Sequence, residues 1–194
     1  MSPQPPPRLR ADARRNYERL LATAETAFDA HGASASLDDI AKAAGVGNAT
    51  LYRHFPTREK LIEAVYDHRI QALCAAAGHL AATRQPGDAL IGWLEAAVAH
   101  ITASRTLGDA FDAAYQGPRD AEPPQVTAWH RSVREAAAPL LSAAQAAGRV
   151  RADLDSAELV ALTTAVARAA GPARAGHFLE LLLEGIVPRG TGSG

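Results

Sequence analysis

The chain has 194 residues, of which 47% are hydrophobic and 21% are charged, and its formal net charge is −1. This length can supply one or two compact domains with cores of their own. The chain has a single cysteine, Cys74, and no Cys/His cluster at zinc-site spacing, which excludes a disulfide framework, and we expect neither a metal nor another cofactor.

Composition also indicates the fold class and the compartment. Aromatic residues make up only 5% of the chain, alanine is abundant, and few stretches show the β-branched alternation of strands, which predicts an all-α fold. The N-terminal segment lacks the apolar core of a signal peptide, and no apolar run approaches the ~20 residues of a membrane-spanning helix. We therefore expect a cytoplasmic protein that does not associate with a membrane.

The beginning of the chain predicts a flexible arm followed by helices. Residues 1–11 are rich in proline and arginine and are expected to be extended, because proline lacks the amide hydrogen that a helix interior needs. Apolar residues at spacings of three and four predict a first helix over residues 12–30. Ser36 and Asp39 have the spacing of a helix-capping pair, which predicts a second helix that ends at Gly45.

A third, short helix is predicted to run to Phe55. Pro56 then interrupts the backbone, and Thr57 provides an N-cap for a long fourth helix. Segments rich in glycine and proline divide the remaining chain into further helical stretches, which gives about nine helices in total. The predicted organisation is the arm, a three-helix domain at 12–58, a helical bundle at 59–188 and a disordered tail at 189–194.

Ala41, Gly45 and Leu51 have the spacing that two helices crossing at a tight turn require. The small alanine allows the helices to approach, the glycine adopts the left-handed backbone of the turn, and the leucine fills the shared core. Polar and cationic side chains then remain on the outer side of the third helix, where they can enter the major groove of DNA. The first 60 residues carry nine basic and seven acidic side chains, so a polyanion contact is expected there.

The segment SLDDIAKAAGVGNATLYRHFPTREKL, residues 36–61, closely resembles the N-terminal module of the TetR (tetracycline-repressor-like) family of bacterial transcriptional regulators. Its second part, GVGNATLYRHFPTREKL, matches that family's pattern at nearly every fixed place, and the preceding AFDAHG is also typical. The resemblance covers residues 12–66, and beyond them only the helical character and the length agree. It implies that residues 12–58 are a helix-turn-helix domain that binds double-stranded DNA.

The resemblance also implies roles for individual residues. Ser36 and Arg58 would contact phosphates, and Tyr52 and His54 would bind the DNA backbone. Arg53 would occupy a variable position that can contact a base. The end of the third helix that enters the groove would comprise Gly47, Asn48, Ala49 and Thr50. Of these, Ala49 could offer only a methyl contact to a thymine.

Two alternatives remain open in this region. Thr50 could simply bond within its own helix and Tyr52 could be a half-buried core aromatic, although the family motif favours DNA binding for both. Arginines near the N-terminus could form a solvated patch or an arm that enters the minor groove. These arginines are Arg8, Arg10, Arg14 and Arg15.

Large rings in the alanine-rich bundle either fill the core or line a cavity. The family's effector pocket lies among the helices just after the DNA-binding module, so the resemblance favours a small-molecule pocket. The candidate pocket residues are Trp93, His100, Phe111, Tyr115, Trp129 and His130. The scattered histidines predict no metal site, and Cys74 is interpreted as a small buried hydrophobe rather than a redox switch.

The last two predicted helices are more apolar around their circumference than a single core-facing stripe requires. A second buried face implies a partner, and in the family these helices form the four-helix interface of a homodimer. The candidate interface residues are Leu159, Leu162, Val166, Phe178, Leu182 and Ile186.

Together these features predict a ligand-responsive, sequence-specific transcriptional regulator, namely a repressor that a small-molecule effector releases from a palindromic operator. One alternative is a helical enzyme with a substrate pocket, although no nucleophile–base pair or paired carboxylates have a recognisable spacing. Another is an architectural DNA-binding protein without an effector, against which the acidic C-terminal part counts. We expect no enzymatic activity.

Overall fold

The computed structural model describes residues 7–105, 107–108, 123–170 and 173–186. Within these ranges the chain forms eight α-helices, a short 3₁₀ turn and no strand, which confirms the predicted all-α class. The helices are α1 (Pro7–His31), α2 (Leu37–Ala43), α3 (Asn48–His54), α4 (Arg58–Thr83), α5 (Pro86–Ala103), α6 (Pro124–Ala146), α7 (Ser156–Ala170) and α8 (Ala175–Ile186). The 3₁₀ turn, Gly32–Ser34, follows α1 directly.

The start of α1 differs from the sequence prediction, whereas the start of α4 agrees with it. Helix α1 begins at Pro7 rather than at Asp12, because a proline is tolerated in the first turn, where its missing amide hydrogen would have no intrahelical partner. Helix α4 begins where predicted, and the Thr57 hydroxyl accepts a hydrogen bond from the Lys60 amide at 3.3 Å. Residues 1–6 and the predicted tail at 189–194 lie outside the described residues.

The chain divides into two compact units. The first unit comprises the chain up to His68 together with a segment that begins at Ser104. Its core is formed by α1, α2, α3 and the beginning of α4, with Phe28, Leu51 and Leu107 among the fully buried side chains. The division falls inside α4, because α4 continues without a break into the second unit, and Leu107 belongs to the first core.

The second unit comprises residues 69–103 and the chain from 117 onward. The continuation of α4 and the helices α5 to α8 surround a core that includes Trp93, Leu140, Leu159 and Leu179. Burial of each large apolar side chain stabilises the fold by about 1.5–3 kcal/mol, so this cluster gives the unit a core of its own. None of the helices in the described ranges is long and apolar enough to cross a membrane.

Candidate nucleic-acid interface

The turn between α2 and α3 has the geometry that the sequence predicts. Gly45 has a φ of +67°, in the left-handed region that side chains disfavour. The Val46 amide donates to the Ala41 carbonyl at 3.0 Å, and the Gly45 amide donates to the Lys42 carbonyl at 3.1 Å. These two bonds form a Schellman motif, which ends α2 and redirects the chain into α3. The predicted helix-turn-helix is therefore confirmed.

The start of α2 is capped as predicted. The Ser36 hydroxyl oxygen accepts a hydrogen bond from the Asp39 amide at 3.3 Å, which satisfies one of the amides that a helix start leaves unpaired. The Ser36 side chain is exposed, so its hydroxyl hydrogen remains available to an acceptor outside the helix. A phosphate contact by Ser36 is compatible with this capping role.

The outer side of α3 presents most of the predicted DNA-binding residues together. Leu51 and, just after the helix, Phe55 are buried in the first core, which fixes the opposite side of α3 toward solvent. Tyr52 is 46% exposed and does not belong to the buried core, and Thr50 is half-buried. The exposed positions in and just before α3 are Gly47, Asn48, Ala49, Tyr52 and Arg53.

His54 is placed differently from these residues. It is half-buried, and its ring lies 5.8 Å from the Tyr17 ring of α1 in an edge-on arrangement. Its Nε2 atom is buried and has no hydrogen-bond partner among the described residues. Burial, with the nearby charge of Arg53, lowers the pKa of His54, which favours the neutral ring in the free protein. His54 thus packs α3 against α1 in addition to any contact with DNA.

Arg58 also has a contact within the unit. Its guanidinium donates a hydrogen bond of 2.5 Å to the Ala35 carbonyl, in the segment that leads into α2. This bond connects the start of α4 to the start of α2, and the motif did not predict it because the two residues are 23 positions apart. Arg58 can therefore hold the helix-turn-helix in place whether or not it meets a phosphate.

A second unpredicted contact joins α2 to α3. The Asn48 side-chain amide donates to the Asp38 carboxylate, with 2.8 Å between Nδ2 and Oδ1. From the sequence alone, Asp38 is simply an acid in the first turn of a helix, where negative charge is common. The spacing of ten residues between the two has no periodic signature, so only the folded turn brings them together.

The three arginines of α1 whose side chains the structure describes pair with neighbours on their own helix. Arg14 lies 2.8 Å from the Glu18 carboxylate, Arg15 contacts Asp12, and Arg19 bonds to Asn16 at 2.6 Å. These contacts favour the solvated-patch interpretation for Arg14 and Arg15. The side chains of Arg8 and Arg10 lie outside the described residues.

The described ranges contain only part of the predicted small-molecule pocket. Trp93 is fully buried in the second core, and its indole N–H donates to the Leu73 carbonyl at 3.1 Å. Trp129 is also buried, whereas His130 is exposed. Burial, with the positive charge of Arg69 nearby, lowers the pKa of His100 to about 4. Phe111 and Tyr115 lie outside the described residues, so four of the six residues are placed.

Metal and thiol chemistry find no support in the described ranges. No group of three or more His, Cys, Asp or Glu side chains there is arranged to hold a metal ion. Cys74 is a half-buried free thiol, and burial together with Glu135 raises the pKa of this thiol. Because the thiolate is the reactive form, a raised pKa makes Cys74 less reactive.

The six predicted interface residues separate into two groups. Leu159 and Ile186 are buried within the second unit itself, so they stabilise the subunit. Leu162 on α7 is 42% exposed, and the three other candidates, Val166, Phe178 and Leu182, are half-buried. Leu181 on α8, which the sequence prediction did not include, is 52% exposed. Leu162, Leu181 and Leu182 line an open groove of about 580 Å³ between α7 and α8.

Two family models match separate parts of the chain. Residues 20–65 match the model described as bacterial regulatory proteins of the tetR family. Residues 85–188 match the model described as the C-terminal domain of SbtR-like transcriptional regulators. The first match contains α2 and α3, and the second extends from just before α5 to the end of α8 and slightly beyond.

Solved structures give the same assignment over nearly the whole length. A TetR transcriptional regulator from Streptomyces coelicolor is 34% identical, with a TM-score of 0.75 over 88% of this chain and 98% of that chain. A TetR regulatory protein from Mycobacterium vanbaalenii is 35% identical, with a TM-score of 0.72 over 93% and 99%. A gamma-butyrolactone receptor described as ArpA-like is 23% identical, with a TM-score of 0.60 over 91% and 90%, and it shares the fold.

Proposed function

Because this chain belongs to the TetR family of bacterial transcriptional regulators, we propose that it is a cytoplasmic repressor that a small molecule releases from a palindromic operator. The observation that carries the DNA-binding part is the outer side of α3, where Asn48, Tyr52 and Arg53 project from a helix fixed by a Schellman turn. Donors on an exposed short helix can reach base edges in the major groove. A regulator of this kind requires no catalytic step.

A palindromic operator requires two copies of the chain. The exposed Leu162 and Leu181 beside an open groove support a homodimer formed through α7 and α8, because apolar surface of this kind is stabilised by burial. Two symmetric recognition helices would then occupy half-sites about 34–36 Å apart, one turn of the DNA helix, or a multiple of it.

Response to an effector is supported by the second unit and by one structural relative. The residues placed from the predicted pocket lie on α5 and α6 of that unit, and a protein of the same fold is described as a gamma-butyrolactone receptor. An effector that binds one conformation of the protein more tightly would shift the population toward it and lower the affinity for the operator. Helix α4 is a candidate lever, since it begins in the first unit and continues into the second.

The DNA-binding part is tested by selecting duplexes from a random pool and measuring the affinity of the selected site at several salt concentrations. We expect a palindromic sequence and an affinity that falls steeply with salt, because contacts to phosphates release counterions. Arg53→Ala should lower discrimination between the selected site and single-base variants by about 5- to 100-fold. Arg131→Ala, which removes an exposed arginine of α6, is the matched control and should keep the discrimination of the parent.

Three results would contradict the proposal. An Arg53→Ala variant with unchanged base preference would mean that α3 does not contact bases. Binding without any selected sequence would indicate an architectural protein. Higher expression of a reporter gene in the presence of the protein, with the selected site in its promoter, would indicate an activator.

The effector is tested by screening small molecules for release of the protein from its selected duplex. A true effector should also raise the melting temperature of the free protein, because a ligand that binds only the folded state stabilises it. A compound that dissociates the complex without this stabilisation acts on the DNA or on exposed charges, and it does not support the proposal.

A further inference from the structure

The Asp38 carboxylate on α2 accepts a hydrogen bond from the side-chain amide of Asn48. Asn48 is the first residue of α3, and its Nδ2 atom lies 2.8 Å from the Asp38 carboxylate. A carboxylate offers only acceptors, so the nitrogen of the amide must face Asp38 and the oxygen must face away from it. Both residues lie on the exposed side of the helix-turn-helix, where the amide would otherwise rotate freely.

The groups that this bond leaves unused form a specific pattern. An asparagine amide has two N–H donors and one carbonyl acceptor, and Asp38 takes one of the donors. Contact with both groups of a base needs the N–H on the same side as the carbonyl oxygen, so the proposal below requires Asp38 to take the other N–H. One acceptor and one adjacent donor then remain. The major-groove edge of adenine presents the complementary pair, an amino donor at N6 and an acceptor at N7, and asparagine contacts it with both groups at once. An amide turned by half a rotation would present its two groups in the reverse order.

We propose that Asp38 is a positioning residue for DNA recognition, which holds Asn48 in the orientation that contacts an adenine in each half of the operator. This inference rests on the proposed function, because it requires α3 to lie in the major groove. A carboxylate near phosphates lowers the affinity for every DNA sequence. Asp38 therefore increases the dependence of binding on sequence while it decreases the general affinity.

A simpler role for Asp38 would be stabilisation of α2, since negative charge at the start of a helix is favourable. Asp39 lies in the same turn of α2 and is also exposed, so it provides a matched control for this effect. Asp38→Asn separates charge from orientation, because an asparagine side chain keeps an acceptor for the Asn48 amide and has no charge. Asp38→Ala removes both the acceptor and the charge.

The experiment measures binding of the full-length protein to its selected duplex, to versions with each base pair changed singly, and to an unrelated duplex. The variants are Asp38→Ala, Asp38→Asn, Asp39→Ala, Asn48→Ala and the double variant Asp38→Ala/Asn48→Ala, each checked for an unchanged helical content and melting temperature. We expect Asn48→Ala to lose discrimination at one A·T pair in each half-site. Asp38→Ala should reduce discrimination at the same pair by roughly five- to tenfold. Adding Asp38→Ala to Asn48→Ala should cause no loss of discrimination beyond that of Asn48→Ala alone.

The second expected result concerns the two variants that have no charge at position 38. Both Asp38→Ala and Asp38→Asn should bind the unrelated duplex about two- to fivefold more tightly at low salt, because one repulsive charge is gone. Only Asp38→Asn should keep the base preference of the parent, and Asp39→Ala should keep it as well. The proposal is overturned if Asp38→Ala keeps full discrimination, if Asp38→Asn loses it, or if Asp39→Ala loses it equally. A parent protein that selects no sequence would instead refute the proposed function.

Discussion

Arg58 is a residue that serves the fold of the helix-turn-helix as well as its surface. Because its guanidinium donates to the Ala35 carbonyl, Arg58→Ala should leave a part-buried acceptor unpaired and destabilise the first unit by about 1–3 kcal/mol. The same variant should bind all DNA sequences more weakly. Circular dichroism during heating and binding to selected and unrelated duplexes measure the two effects. Arg53→Ala, which removes an exposed arginine, should leave the melting temperature unchanged; equal melting temperatures for both variants would show that the Arg58 bond adds no stability.

His100 should make the second unit sensitive to acid. Its pKa is about 4 in the folded chain, against an ordinary value near 6.5, so below pH 6.5 the unfolded chain binds a proton that the folded chain does not. Stability contributed by the neutral ring is complete above pH 6.5, and it decreases as the pH falls toward 4. At pH 5 the loss should be about 2 kcal/mol relative to pH 7.

His100→Gln should remove about 2 kcal/mol of the loss in the free energy of unfolding between pH 7 and pH 5. Urea unfolding at the two pH values measures this loss. His79→Gln, which removes an exposed imidazole from α4, is the matched control and should preserve the pH dependence of the parent. If His100→Gln loses as much stability on acidification as the parent does, the imidazole of His100 is not the group responsible.

Among the secondary-structure elements, two turns with the same backbone geometry allow a paired test. Gly45 and Gly148 have φ values of +67° and +66°, and both end a helix. An alanine side chain at Gly45 would meet only the Arg19 guanidinium at 4.0 Å, and at Gly148 nothing lies within 4 Å. Gly45→Ala and Gly148→Ala should therefore each cost about 1–2 kcal/mol through backbone strain alone.

The two variants should differ in function. Gly45→Ala changes the turn that orients α3, so affinity for the selected duplex should fall by at least about tenfold. Gly148→Ala strains the turn after α6 in the second unit and should leave that affinity within about twofold of the parent. Equal DNA affinity for the two variants at equal stability would mean that the α2–α3 turn does not control the recognition helix.

The sequence predicts best those elements whose geometry is local. Gly45 and Ser36 determine the end and the start of α2 through bonds within a few residues, and both predictions are confirmed. The packing of His54 against Tyr17, the Arg58 bond to Ala35 and the burial of Leu159 within its own subunit depend on residues far apart in sequence. A periodic pattern shows that a helix side is apolar, but it does not show whether the chain itself or a second chain covers that side.

For the molecule as a whole, the exposed apolar residues of α7 and α8 predict the effect of adding a charge. Leu162→Glu and Leu181→Glu should each split the proposed homodimer, because a carboxylate without a partner at a buried interface costs about 3–5 kcal/mol. Sedimentation should show monomers, and affinity for the full palindrome should fall much more than affinity for one half-site. Ser142→Glu adds the same charge to an exposed position of α6 and should remain dimeric. A dimeric Leu181→Glu protein would place the interface elsewhere.

The position of the two tryptophans makes the units optically distinct. Trp93 and Trp129 are the only indoles in the sequence, both belong to the second unit, and both are buried. Tryptophan fluorescence therefore follows the unfolding of the second unit and does not detect that of the first, whereas circular dichroism follows the helices of both. In urea, Gly148→Ala should shift the fluorescence transition, and Gly45→Ala should shift only the circular dichroism transition if the first unit unfolds independently. In one sample of unlabelled protein, the fluorescence transition thus reports the second unit alone, and its difference from the circular dichroism transition reports the first.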